Sequence, residues 1–277
     1  MTKLHYGSVH SDGIRIQYYM TGEEKPPILL VHGFSDNGFC WNRIPVHLAK
    51  IYNVVVMDTR GHGFSGCGNE PFTPNDEARD MVALVNELNL HKPVIMGHSH
   101  GASIAAAAAA DFPNVFLAAV LIDPPWGGRF EQQTDEDRQT RADEWRAGIA
   151  KMKAASHEEV MQMGKQKHPG WDESEYFQWA QSKHQMQDNA FLAIVKAGEA
   201  WQEQVARIKC PGLLMTGDPQ KGGLVTPEIA AEAKKIWKNL ETMHFLNAGH
   251  NIHRDSYREF LNGLDPFLKK IRRANPG

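Results

Sequence analysis

The sequence predicts an α/β fold: a mostly parallel, twisted sheet with helices on both faces and one long helical interruption. Three observations carry this. Apolar runs of strand length alternate with stretches of helical length over the first 125 residues. The alternation stops between about 126 and 207, where no β-branched run occurs, and resumes toward the C-terminus. Parallel neighbours need crossovers of roughly a dozen residues or more, which the intervening stretches supply.

Residues 14–20 alternate apolar and polar in the manner of a half-buried strand, and 27–31 (PILLV) form a continuous run suited to a central one. A helix is expected over 41–50, then a strand at 52–57 (YNVVVM). The helix over 75–88 carries Asp76, Glu77 and Asp80 in its first turns, where the dipole favours carboxylates. Strands at 93–96 and 117–122 flank an Ala-rich helix. Residues 126–207 read as several amphipathic helices anchored by Trp145, Met152, Met161, Tyr176, Phe177, Trp179, Phe191 and Trp201. The strand pattern resumes at 212–215 (GLLM), followed by a helix over 227–237, a strand at 242–246 and a last helix over 256–272.

Composition narrows the function. With 30 Lys and Arg against 33 Asp and Glu, net charge −3 and the basic residues scattered, no nucleic-acid partner is expected. The most apolar stretch, 102–110, is nine mostly Ala residues, against about 20 for a spanning helix, so no membrane partner is expected either. The N-terminus lacks a secretory apolar region, and Cys40, Cys67 and Cys210 share no metal spacing, which fits reduced thiols in a cytoplasm.

The strongest local signal is Gly97-His98-Ser99-His100-Gly101, a G-x-S-x-G between the run PVIM and the Ala-rich helix. A sharp strand-to-helix turn leaves no room for side chains at the flanking glycines and makes Ser99 stand proud of the sheet. The helix start behind it offers free N–H groups and a positive dipole end. A second element is Val31-His32-Gly33-Phe34 after the PILLV strand, where the glycine frees the backbone to turn its next N–H inward. The N–H groups of Phe34 and His100 are thus expected to form an oxyanion hole.

With these motifs, Gly61-His62-Gly63-Phe64-Ser65 after the YNVVVMD strand and Ala248-Gly249-His250 after the last one, the chain resembles the α/β-hydrolase fold superfamily over nearly its whole length. The resemblance implies a Ser-His-Asp serine hydrolase of esterase or lactonase type. It implies a core in two parts (1–125 and 208–277) and a helical lid, 126–207, inserted after the sixth strand. It implies neither metal nor cofactor. His250 takes the place of the general base; His98, His100 and His253 are the rivals, and the first two should point away from the serine oxygen.

The acid departs from the common pattern. The family's usual carboxylate slot, about three residues beyond Gly217, is Gln220. Two candidates remain: Asp218, two residues early, and Asp123 at the end of the 117–122 strand, a position some relatives of this fold use. Asp123 is preferred.

The pocket is expected between strand ends and lid, lined by Phe34, Phe39, Cys40, Trp41 and Trp126, with Trp145 or Trp179 as a roof. Asp36, Asn37 and Arg60 read as surface-turn residues. The reading is cleavage of a small-molecule carboxylic ester or lactone. A carbon–carbon bond hydrolase for vinylogous diketones or a cofactor-free perhydrolase of the same fold remains an alternative, as does a ligand receptor that keeps the triad but turns over little. A serine rather than an aspartate at 99 argues against the dehalogenase and epoxide-hydrolase branches.

Overall fold

The computed structural model describes residues 4–127, 130 and 133–275. Its strands are β1 (His5–Ser11), β2 (Ile14–Met20), β3 (Pro27–Val31), β4 (Asn53–Met57), β5 (Val94–His98), β6 (Ala118–Ile122), β7 (Gly212–Gly217) and β8 (Leu240–Phe245). They form one sheet in the order β1-β2-β4-β3-β5-β6-β7-β8. The pairings β1–β2 and β2–β4 are antiparallel, and all the others are parallel.

The period of two along each strand divides the core into two layers. Ile28, Leu30, Val54, Val56, Met96 and Val120 face one side, with Ile44 and Leu48 of α1 (Arg43–Leu48) and Phe260, Leu264 and Phe267 of α11 (Tyr257–Ala274). Leu29, Val31, Val55, Met57, Ile95 and Leu121 face the other. That side is covered by α2 (Pro74–Glu87), the Ala-rich α3 (His100–Asp111), α8 (Trp201–Arg207) and α9 (Pro227–Ile236). The alanines of α3 let its backbone lie close against the central strands: a Cβ on Gly101 would stand 2.3 Å from the carbonyl oxygen of Val31.

Between β6 and β7 lie α4 (Asp135–Ala154), α5 (His157–Lys167), α6 (Glu173–Gln185), α7 (Leu192–Val195) and α8. Thr134 with Asp137, and Ser156 with Glu159, close capping boxes at the starts of α4 and α5, so these helices begin where the sequence supplies a hydroxyl and a carboxylate three residues apart.

Two departures from expectation are local. Strand β1 is not visible as an apolar run, since Val9 is its one buried aliphatic residue; it forms by pairing with β2 across the two-residue turn Asp12-Gly13, both at positive φ. The helix expected over 41–50 is divided at Asn42 (φ 44°) into a 3₁₀ turn, Gly38–Trp41, and α1. A further short helix, α10 (Ile252–Asp255), precedes α11.

Strand β3 has β4 on one side and β5 on the other, so the direction in which the chain crosses the sheet reverses there. A crevice opens at such a point, at the carboxyl ends of the strands. The segments leaving β3, β5, β6 and β8 at that edge carry residues 32–36, Ser99, Asp123 and His250.

Candidate active site

Ser99 sits at the turn from β5 into α3 with φ 54° and ψ −120°, a left-handed backbone for a residue with a Cβ. Its amide donates to the Ile122 carbonyl at 2.8 Å, and its own carbonyl accepts from Ala102. The glycines make the turn possible: a Cβ on Gly97 would come within 2.1 Å of the Gly101 carbonyl oxygen. Strain of this kind, of order 1–3 kcal/mol, persists only where the surroundings over-determine it.

The segment after β3 packs directly on this turn, since a Cβ on Gly33 would stand 3.3 Å from the Ser99 Cβ. The Gly33 carbonyl accepts from the Asp36 amide (3.1 Å) and lies 2.8 Å from His32 Nδ1. His32 Nε2 accepts from the Thr59 amide at 3.0 Å, which leaves the ring proton on Nδ1, facing Gly33. In a trans peptide the N–H points opposite the C=O, so fixing the Gly33 carbonyl fixes the direction of the Phe34 N–H. Next along, Ser35 is held at φ 68° and donates its amide to His62 Nε2 at 3.1 Å. His62 belongs to the Gly61–Ser65 turn, whose geometry is set by Asp58: its carboxylate accepts from the amides of Gly38 and Phe64, and a Cβ on Gly63 would collide with it. As first residue of α3, His100 has an amide without an intrahelical partner.

At the same sheet edge, His250 Nδ1 lies 2.7 Å from Asp123 Oδ2. Asp123 is fully buried at φ 44°, and its carboxylate also accepts the amides of Leu224 (2.8 Å) and Val225 (3.1 Å). These three donors compensate the buried carboxylate. The loop in which the sequence pattern looks for the acid thus supplies two N–H groups to Asp123 instead. Asp218 lies elsewhere, accepting the Gln220 amide as the cap of a 3₁₀ turn. With Nδ1 taken by Asp123, His250 has Nε2 left to accept a proton. The His250 carbonyl is fixed by His98 Nε2 at 2.9 Å.

The rival histidines have other partners. His98 and His253 are buried with rings 4.7 Å apart, and His100 Nε2 meets Glu77 Oε2 at 2.6 Å. Packing places the expected lining residues as follows. Trp126 is 3% exposed and stacks on Trp201 at 4.9 Å within the core; Trp41 is buried against His253; Phe39 lies on Tyr19 at 4.3 Å. An indole buries its whole area more favourably in these layers than at an open strand end, whereas Phe39 stays half-buried. Trp179 belongs to the apolar cluster of α5 and α6. The Phe34 ring meets the helical insertion, 5.1 Å from Trp145 and 5.6 Å from Phe191. Asp36, Asn37 and Arg60, expected at surface turns, are all buried: Arg60 pairs with Asp80, and Asp36 with Arg254 (2.8 Å) and Lys183 (3.1 Å). The sequence reading missed Lys183 and Arg254 altogether, because their partners lie far away along the chain.

Burial lowers the pKa of His32, and those of His62, His98 and His253 well below the ordinary imidazole value. In the unfolded chain these rings protonate near pH 6.5 while the folded ones stay neutral, so the unfolded state binds more protons and stability is lost as the pH is lowered. Each ring contributes a slope of up to about 1.4 kcal/mol per pH unit below that point. Burial raises the Asp36 carboxyl, but Arg254 and Lys183 outweigh it and hold it below the usual range; its contribution therefore remains in this window, since unfolded carboxylates titrate near pH 4. Urea midpoints are expected to drop steadily from pH 7.5 to 5.5; a flat profile would contradict neutral burial of these rings.

A family model described as the alpha/beta hydrolase family matches residues 28–262. N-formylmaleamate deformylase of Pseudomonas putida is 26% identical over 268 residues, 95% of this chain and 96% of that protein. Among solved structures, an N-formylmaleamic acid deformylase from Pseudomonas putida superposes with TM-score 0.78 at 24% identity, covering 94% of this chain and all of the other. The enol-lactonase from Burkholderia xenovorans does so with TM-score 0.75 at 19% identity, over 95% of this chain and all of the other. These superpositions establish a shared fold.

Proposed function

The chain belongs to the alpha/beta hydrolase family, and on that premise we propose that it is a serine hydrolase cleaving a small carboxylic ester or lactone through an acyl-enzyme on Ser99. The observation that carries this is the 2.7 Å contact of His250 with buried Asp123 at the same sheet edge as the strained Ser99 turn. In this reading Ser99 Oγ attacks the carbonyl carbon and His250 Nε2 takes its proton. Asp123 holds the imidazole with Nδ1–H inward and stabilises the imidazolium. The Phe34 and His100 amides donate hydrogen bonds to the charge developing on the carbonyl oxygen. His250 then returns the proton to the leaving group, and water, activated by the same ring, releases the acid.

A second reading rests on the relative matched over 96% of its length, which is named for removal of a formyl group from nitrogen. The same parts would act on an activated amide, because the tetrahedral oxyanion and the proton transfers are alike. A panel of p-nitrophenyl esters, lactones, N-formyl enamides and vinylogous diketones separates the readings. Multiple turnovers on esters or lactones are expected. Activity confined to N-formyl compounds selects the second reading, and activity confined to diketones overturns both. Single turnover with tight product retention would instead mark a receptor.

A further inference from the structure

Lys183 is an unusual residue to bury. It lies near the end of α6, 2% exposed, with its amine over the Trp179 ring. Its Nζ donates to the Ser35 carbonyl at 2.7 Å, and it lies 3.1 Å from both Ser35 Oγ and Asp36 Oδ1. An ammonium taken out of water costs several kcal/mol unless paired, and a methionine would fill similar space without that cost. The return therefore lies in what the amine holds.

It holds the residue next to Phe34. Ser35 has its amide on His62 Nε2 and its carbonyl on Lys183, so both peptide groups around its left-handed φ of 68° are pinned, one from the sheet side and one from the helical insertion. The end of α6 adds Gln185 Oε1, which accepts from Asn37 at 2.7 Å. Asp36 passes the connection on: its second oxygen accepts from Arg254, four residues beyond His250, which also donates to the Cys40 carbonyl at 3.0 Å. One buried chain of charges thus joins α6, the segment after β3 and the helix after His250.

We propose that Lys183 is a positioning residue for the oxyanion hole: by holding the Ser35 carbonyl from α6 it fixes the 35–36 peptide, whose N–H donates to the Gly33 carbonyl and so directs the Phe34 N–H, and the site is competent only with this helix seated. The inference rests on the acyl-enzyme reading above and specifies what the helical insertion contributes to it. Both acylation and deacylation pass through an oxyanion, so both depend on the clamp. Losing one oxyanion donor entirely costs about 10²–10³ in kcat, and a misdirected one should cost part of that.

The test compares wild type, Lys183→Met and Lys183→Arg on one ester, with a boronic acid as the tetrahedral mimic and the product carboxylate as the ground-state mimic. Lys183→Met should lower kcat roughly 30-fold or more with KM within about threefold. It should weaken the boronic acid by a similar factor, leave the product carboxylate unaffected, and be partly rescued by arginine. A kcat within threefold of wild type overturns the proposal. So does a loss in which KM and both inhibitors shift together, which marks general loosening. Should the methionine variant not fold, Lys183→Gln is measured against the same criteria. Ser99→Ala separates the two levels: if it keeps activity, the acyl-enzyme reading falls; if it is inactive while the Lys183 variants are normal, the clamp alone falls.

Discussion

Ser99→Ala is expected to reduce kcat on any substrate the protein turns over by at least about 10⁴-fold, with little change in KM or stability. The size follows from the proposed role. Without Oγ there is no covalent intermediate, and the amides of Phe34 and His100 are left to polarise a carbonyl that only water can attack. Stability should hold, because alanine keeps the Cβ and the backbone is fixed by the Ile122 carbonyl and by glycines 97 and 101. Steady-state rates, with thermal melts as the folding control, check this. A residual rate within a hundredfold of wild type would mean that another group is the nucleophile.

Asp123→Asn should lower kcat by about 10³–10⁴, while Asp218→Asn should change it less than threefold. The amide is nearly isosteric, and although its NH2 must face one of the loop amides, of Leu224 or of Val225, it can turn an N–H toward His250. That favours the wrong imidazole tautomer and removes the charge that stabilises the imidazolium. Asp218 only caps a turn, and asparagine caps as well. The opposite ranking would relocate the acid to the loop after β7.

How far the sequence announces these features depends on how local their causes are. The Ser99 turn is legible because everything it requires lies within five residues: two glycines, a strand before and a helix after. The sheet is legible for a similar reason, since Ile28 to Val31 or Val54 to Met57 can only be strands buried on both faces. Strand β1 is not, because it owes its place to β2 rather than to apolar content of its own. The acid is ambiguous in sequence because the preference for Asp123 is physically expressed through Leu224 and Val225, whose amides come from a loop 100 residues later. Proximity in sequence misleads for the aromatic lining: Trp126 follows Asp123 by three residues yet turns away to stack on Trp201. Asp36 and Lys183 carry the same lesson with opposite sign. A charged residue in a turn reads as surface, and only the fold brings its countercharges to it.

The claim on which the rest depends is that Ser99 is the acylated atom. Incubation with a fluorophosphonate followed by peptide mass spectrometry tests it directly. The account predicts one phosphonyl group per chain, on the peptide containing Ser99, with labelling slowed by Asp123→Asn and absent in Ser99→Ala. Stoichiometric labelling at another residue, or none in a protein that is turning over ester, would contradict it.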